Sequence, residues 1–272
     1  MHMTHRYARP LVVKYGGNAM TQQPAGEADQ ILSEISRLWR RGNPVVLVHG
    51  GGPEIDRALL ARGVTSERLD GMRVTDAQAL EITEAVLCGS VNKRIVRACL
   101  ALGLPAVGIS GQDAGMLVAA RAVAVSGADL GYVGSIDAVE VRLIRTLLEA
   151  RFLPVVAPLA VARDASHGYN VNADLAAGAL AAALEASAFV VVTNVARVLR
   201  DYDDPTSGIE RLKSEEALRF ASSEACRSSM KPKLLAAGTA ARDGAGAAYI
   251  CAAKPNAIAC ALAGDATIVS AA

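Results

Sequence analysis

Leu11-Val12-Val13-Lys14-Tyr15-Gly16-Gly17-Asn18-Ala19-Met20 is the stretch on which the reading of this chain turns. An apolar run ends in a lysine, two glycines follow, and a helix start comes next. In a parallel sheet such an ending puts a cation and free backbone N–H groups at the carboxyl edge, where open α/β sheets bind ligands. Glycine lets backbone amides approach an anion with no Cβ in the way, and a helix N-terminus adds partial positive charge. Phosphate suits this turn. An ordinary strand-to-helix turn with a solvated lysine suits the local residues equally well.

The design then recurs. A helical spacing over 27–41 leads to a second apolar strand, Val45-Val46-Leu47-Val48, which ends in His49-Gly50-Gly51-Gly52-Pro53 and an amphipathic helix over 54–62. Three consecutive glycines cost chain entropy, and two such turns in consecutive units predict an anion cradle. Next, Leu69-Asp70-Gly71-Met72-Arg73-Val74-Thr75-Asp76 sets Arg73 among turn-forming residues. A guanidinium so placed fits a bidentate grip on a carboxylate, or a solvated surface. Thr75 or Asp76 can cap a helix over 77–87, and another helical stretch covers 90–102.

Further strands are expected at 105–109, 153–159, 189–193 and 247–251, with 267–269 as a closing edge strand. The segments 116–124 and 131–136 read as short antiparallel strands, a hairpin lid over the first half. Helices are expected over 139–150, 175–184, 214–221, 234–242 and 256–262. Asn170, Asn172 and Asp174 gather at the entrance of the alanine-rich helix. Asp174 is either a first-turn carboxylate favoured by the helix dipole or a group that orients nearby lysines. Met230-Lys231-Pro232-Lys233 sets cations at another helix start, where they oppose the dipole and call for an anion or solvent. The alternation predicts an α/β fold, a three-layer αβα sandwich on a mainly parallel central sheet, with 1–272 as a single domain.

Composition narrows the function classes. Of 272 residues, 52% are hydrophobic but only 4% aromatic, so the core must be built from Val, Leu, Ile and Ala. A net charge of +1 argues against a nucleic-acid partner. The five cysteines form no CxxC and no metal-ligand spacing, as expected of reduced thiols in a cytoplasmic chain. No apolar run is long enough to suggest a membrane span.

With the lysine turn, the triple-glycine turn, the arginine segment, the Asn-Val-Asn-Ala-Asp stretch and the late lysine in this order, the chain resembles the amino acid kinase family. Within it, the likeness is greatest to the N-acetylglutamate kinases. It runs from about Leu11 to Val269, and its best pieces are residues 13–20, 48–53, 71–76 and 169–174. The resemblance implies ATP-dependent phosphorylation of the side-chain carboxylate of N-acetyl-L-glutamate to an acyl phosphate, in arginine biosynthesis. It assigns Lys14 and Lys233 to the transferring phosphoryl group and Asp174 to holding both lysines. Gly16, Gly17, Gly50 and Gly51 would supply backbone amides, Arg73 would hold the α-carboxylate, and Asn170 would contact the acylated amino acid. The nucleotide would lie near Thr193, Asn194, Met230 and Lys231, with Mg2+ riding on the ATP phosphates and no metal site of the protein's own.

The resemblance also divides the domain into an acyl-substrate lobe (about 1–165) and a nucleotide lobe (about 166–272). It implies a homodimer built through the first half. A first strand at Leu11 leaves little room for a ring-forming N-terminal helix, so arginine inhibition is not expected. The nucleophile is a carboxylate already ionised at neutral pH, so the chemistry asks for positioning and charge rather than a general base.

Three segments depart from the family's pattern. Ser228-Ser229 stand where a glycine pair is usual, Thr193-Asn194 where Thr-Asp is, and Cys251-Ala252-Ala253-Lys254 where an Asp-Gly-Arg-like turn is. These departures keep two alternatives open, the first of which Cys88-Gly89-Ser90-Val91-Asn92-Lys93-Arg94 also resembles. One is a kinase for aminoadipate or glutamate linked to a small acidic carrier protein. The other is a non-catalytic nucleotide or amino-acid sensor on the same fold.

Overall fold

The computed structural model describes residues 8–16, 29–69, 71–124 and 126–271. The first half runs β1 (Leu11–Tyr15), α1 (Gln30–Arg40), β2 (Val45–His49), α2 (Gly52–Ala61), β3 (Arg68–Leu69), β4 (Met72–Arg73), α3 (Ala77–Glu84), α4 (Asn92–Ala101) and β5 (Ala106–Ser110). Then come β6 (Leu117–Val123), β7 (Asp129–Val139), α5 (Arg142–Glu149), β8 (Leu153–Ala157), β9 (Leu159–Ala162) and β10 (Gly168–Val171). The remainder is α6 (Ala173–Ala183), β11 (Ala188–Thr193), β12 (Arg211–Lys213), α7 (Ser214–Ser222), α8 (Lys231–Arg242), β13 (Ala248–Ala252), α9 (Ala257–Leu262) and β14 (Thr267–Ser270).

The central sheet has the order β12-β14-β13-β11-β1-β2-β8-β5. All its pairings are parallel except β13 with β14. Its central strands β1, β2, β8 and β11 read as largely apolar runs because both faces are covered. Val12, Val46, Val48, Phe189 and Val191 enter one core, while Val13, Val45, Leu47, Val190 and Val192 enter the other. Helices α6 and α8 close the first core; α1, α4 and α9 close the second. This is the expected three-layer α/β arrangement.

Close packing of one layer positions the chemistry. A Cβ added to Gly178 in α6 would lie 2.8 Å from the Ala236 carbonyl oxygen of α8. Small residues therefore let the two helices approach almost backbone to backbone, which is the use of the alanine run. Both helices lead into parallel neighbours, β11 and β13, so their N-termini meet at the same sheet edge.

Several local expectations are corrected. The run 153–159 is two strands broken at Pro158. β8 stays in the sheet, while β9 joins β6, β7 and β10 in a small closed barrel. The expected hairpin is present as β6 paired antiparallel with β7, but it is a wall of that barrel rather than a separate lid. The expected helix over 139–150 begins only at Arg142, because β7 runs on to Val139. Residues 267–269 are not the edge: β12, a three-residue strand, pairs outside β14. Between α3 and α4 the chain widens into a π-helical segment, Ala85–Val91.

Candidate active site

At the carboxyl edge of the sheet lies a cleft of about 440 Å³. Lys14, near the end of β1, is 6% exposed and lies in its floor. Its Nζ sits 2.8 Å from Asp174 Oδ1, and Lys233 Nζ sits 3.1 Å from Asp174 Oδ2. One carboxylate thus bridges two ammonium groups brought by three elements: β1, the first turn of α6 and the first turn of α8. Lys233 also donates to the Ser229 carbonyl at 3.3 Å. Asn172, at the mouth of α6, accepts from the Asp174 and Leu175 amides at 2.9 and 3.3 Å. It is the helix cap, so Asp174 is free to face the lysines.

The electrostatics follow from burial. Desolvation favours neutral Lys14 and Lys233 adds repulsion. Asp174 pulls the other way, and the balance leaves Lys14 below the ordinary lysine value. For Asp174 burial opposes ionisation, but the two ammonium neighbours outweigh it and hold the carboxyl below its usual range. The cluster carries a net positive charge, and two helix N-termini add to it. Such a floor attracts an anion.

Gly16 lies beside Lys14; a Cβ there would stand 3.2 Å from Lys14 Nζ and 3.3 Å from the Val192 carbonyl oxygen. Gly17, the second glycine of that turn, lies outside the described residues. Gly50, Gly51 and Gly52 line the opposite wall. The Gly50 amide is not available to an anion, however: it donates to the Tyr15 carbonyl at 3.0 Å and extends the sheet ladder. That corrects the expectation of a Gly50 amide in the cradle. Gly51 and Gly52 stand at the start of α2, where amides lack intrahelical acceptors. A Cβ on Gly51 would meet Leu87 Cδ2 at 2.6 Å, so any side chain there would have to displace the buried Leu87.

At the far end of the cleft Arg73, 7% exposed, is ion-paired to Asp56 of α2. Arg68 of the same hairpin reaches Asp56 at 3.3 Å. Behind Arg73, the Thr75 hydroxyl donates to the Arg73 carbonyl at 2.8 Å and accepts from the Asn170 amide at 3.2 Å. The arginine segment and β10 are thereby tied together. Asp76, not Thr75, caps α3, accepting from the Ala79 amide at 2.7 Å.

The cleft therefore gathers Lys14, Gly16, Gly50, Gly51, Arg73, Asn170, Asp174, Thr193 and Lys233. It does not gather Asn194, Met230 or Lys231. Asn194 is exposed, Met230 packs against a core, and Lys231 opens α8 just before the cleft-lining Pro232. In their place stand Ser228, Ser229 and Pro232. The Gly71 Cβ position lies 3.2 Å from the Ser228 carbonyl, so the β3–β4 turn meets this loop over the cleft. Sequence reasoning missed Asp56, whose signal is that of any exposed helical carboxylate. Among the described residues no group of three or more His, Cys, Asp or Glu could hold a metal ion, and no helix is long and apolar enough to cross a membrane.

Known proteins similar to this chain include two acetylglutamate kinases and one solved structure of like fold. The acetylglutamate kinase of Rubrobacter xylanophilus is 43% identical over 256 residues, covering 94% of each chain. That of Symbiobacterium thermophilum is 38% identical over 247 residues, 89% of this chain and 83% of the relative. The solved N-acetylglutamate synthase of Neisseria gonorrhoeae, complexed with coenzyme A and N-acetyl-glutamate, matches with a TM-score of 0.80 at 24% identity. This chain spans 60% of that protein's length, and 97% of this chain is covered, a likeness of fold. The family model described as "Amino acid kinase family" matches residues 9–252, and the chain belongs to that family.

Proposed function

We propose that this protein transfers the γ-phosphoryl group of ATP to the side-chain carboxylate of N-acetyl-L-glutamate, giving an acyl phosphate in arginine biosynthesis. The observation that carries the reading is the Lys14–Asp174–Lys233 bridge in the cleft floor, within a chain 43% identical to an acetylglutamate kinase. The acceptor carboxylate is ionised at neutral pH, so attack on phosphorus needs no proton removed. What it needs is alignment and neutralisation of the charge on the transferring oxygens. Lys14 and Lys233 supply that charge from opposite lobes, and Asp174 holds their spacing. Gly16 and Gly51 leave room for phosphate oxygens against the backbone, and Arg73 takes the α-carboxylate. Thr193, Ser228 and Ser229 face the nucleotide. Asn170 lies where the acylated amino group would rest.

Among the described residues the carboxylates lining the cleft are Asp174, which bridges two lysines, and Asp56, which pairs with two arginines, so a divalent cation fits here on the nucleotide phosphates rather than on protein ligands. Mg2+ bound in that way would spread the phosphate charge. The assembly we propose is a homodimer through the first half, checked by light scattering.

Hydroxylamine trapping with ATP, Mg2+ and N-acetyl-L-glutamate tests the function. Hydroxamate from the free amino acid is expected. Product only when the acyl group is attached to a carrier protein would redirect the substrate assignment, and nucleotide binding without product would reduce the chain to a sensor.

A further inference from the structure

The phosphotransfer reading leaves one buried titratable ring beside the cleft without a task. His49 ends β2 with no exposed surface. Its Nδ1 lies 2.8 Å from the Gly50 carbonyl oxygen and its Nε2 lies 3.1 Å from Asn92 Nδ2. The Asn92 amide nitrogen is oriented by two further acceptors, the carbonyls of Val155 at 2.9 Å and Ile109 at 3.3 Å. A carbonyl only accepts and an amide nitrogen only donates, so the neutral ring carries its proton on Nδ1 and accepts at Nε2. Burial brings the His49 pKa down to about 4, which keeps the ring in this neutral form at pH 7.

The peptide that His49 holds is the one that matters. No cis bond occurs among the described residues, so the Gly50 carbonyl and the Gly51 N–H point in opposite directions. Anchoring that carbonyl to a ring buried behind the turn aims the Gly51 N–H away from the core, toward the cleft that both glycines line. The Gly50 amide is already fixed by the Tyr15 carbonyl. Neither residue has a side chain to hinder rotation of the peptide between them, so its orientation needs an external hold. We propose that His49 is a positioning residue, pinning the Gly50–Gly51 peptide so that the Gly51 N–H offers a fixed donor to the phosphoryl group in transfer.

The proposal rests on the phosphotransfer reading for its kinetic consequence but not for its structural one, and two substitutions separate them. His49→Asn keeps a donor near the Nδ1 position and loses the Nε2 acceptor. His49→Gln keeps a polar group for Asn92 and loses the donor to Gly50. The pin predicts that H49Q lowers kcat by about 10- to 100-fold with both KM values within about threefold, less than outright removal of a preorganised donor because the Gly51 N–H is misaligned rather than lost. H49N should stay within about threefold of the natural protein. Equal activities, or a slower H49N than H49Q, would overturn it, because a merely structural role in the core ranks the two variants that way.

A second measurement is independent of turnover. With 15N-glycine labelling, the Gly51 amide should give one sharp resonance in the natural protein and in H49N, and a broadened or doubled one in H49Q. A single sharp resonance in H49Q removes the pin even if no substrate is phosphorylated. Loss of hydroxamate in the natural protein, with the resonance pattern intact, would instead count against the assigned reaction.

Discussion

The two ends of the cleft are built to different standards. At the floor, Lys14, Asp174 and Lys233 come from a central strand and two closely packed helices, with Lys14 and Asp174 buried and the Lys233 side chain 16% exposed. At the far end, Arg73 and Arg68 ride on a hairpin of two-residue strands and share Asp56, which is half exposed. Charge at the floor is worth more because water cannot screen it, and it costs more to misplace. At the far end Arg73 is as buried as Lys14, but its partner Asp56 is half exposed, so water can take over part of that pairing. On the mechanism proposed above, the end assigned to the transferring phosphoryl group is anchored in the central sheet, and the end assigned to the substrate carboxylate rests on a short hairpin.

The most damaging test of this contrast is Asp174→Asn. It leaves two buried ammonium groups without a counter-charge, and folding stability should fall by about 3–5 kcal/mol. Chemical denaturation measures this; a loss under 1 kcal/mol would mean the floor is wetter than its burial implies. Lys14→Ala should lower kcat by about two to three orders of magnitude in the trapping assay, as when one preorganised charge donor is lost. Near-normal turnover would remove Lys14 from the mechanism.

A pH profile sharpens the same point. Because the Lys14 pKa lies below 10.5, its proton leaves at a lower pH than from a free lysine. Activity should therefore decline on the alkaline side before the ordinary lysine range is reached. Lys14→Arg, which keeps its charge, should carry that limb to higher pH, and a limb that does not move belongs to another group. At the far end, Arg73→Lys should raise KM for the acyl substrate by about tenfold and leave kcat within a few-fold, since a bidentate grip becomes a single point of charge. A kcat loss as deep as that of the lysine variant would erase the distinction between the two ends.

The apolar strands were legible because a strand buried on both faces has no polar residue to interrupt it, as in Val45-Val46-Leu47-Val48. The glycine turns were legible for a similar reason: few structures other than a close backbone approach need Gly50-Gly51-Gly52. Short elements were not. Arg211-Leu212-Lys213 has one apolar residue and becomes β12 only because β14 offers it an edge. Pro158 splits one apolar run between sheet and barrel, which depends on where β10 lies. Which glycine amide is spent on the sheet is likewise a tertiary fact, so Gly50 and Gly51 could not be told apart. Asp56 was invisible because its partners arrive from another hairpin.

The position of β1 has a consequence for how the chain is made. The first strand is not at an edge: it is flanked by β2 on one side and by β11 on the other, with Leu11 paired to Ala188. During synthesis β2 is soon at hand, but β11 follows only after roughly 175 more residues, about 10–35 s of translation at ordinary rates. Throughout that interval a nascent first half presents one edge of β1, apolar but for Lys14, as a template for strand pairing with other chains. The strand that carries Lys14 is thus also the seam that joins early and late halves of the polypeptide. Slowed translation between residues 15 and 188 should lower the yield of folded protein more than slowing after 193.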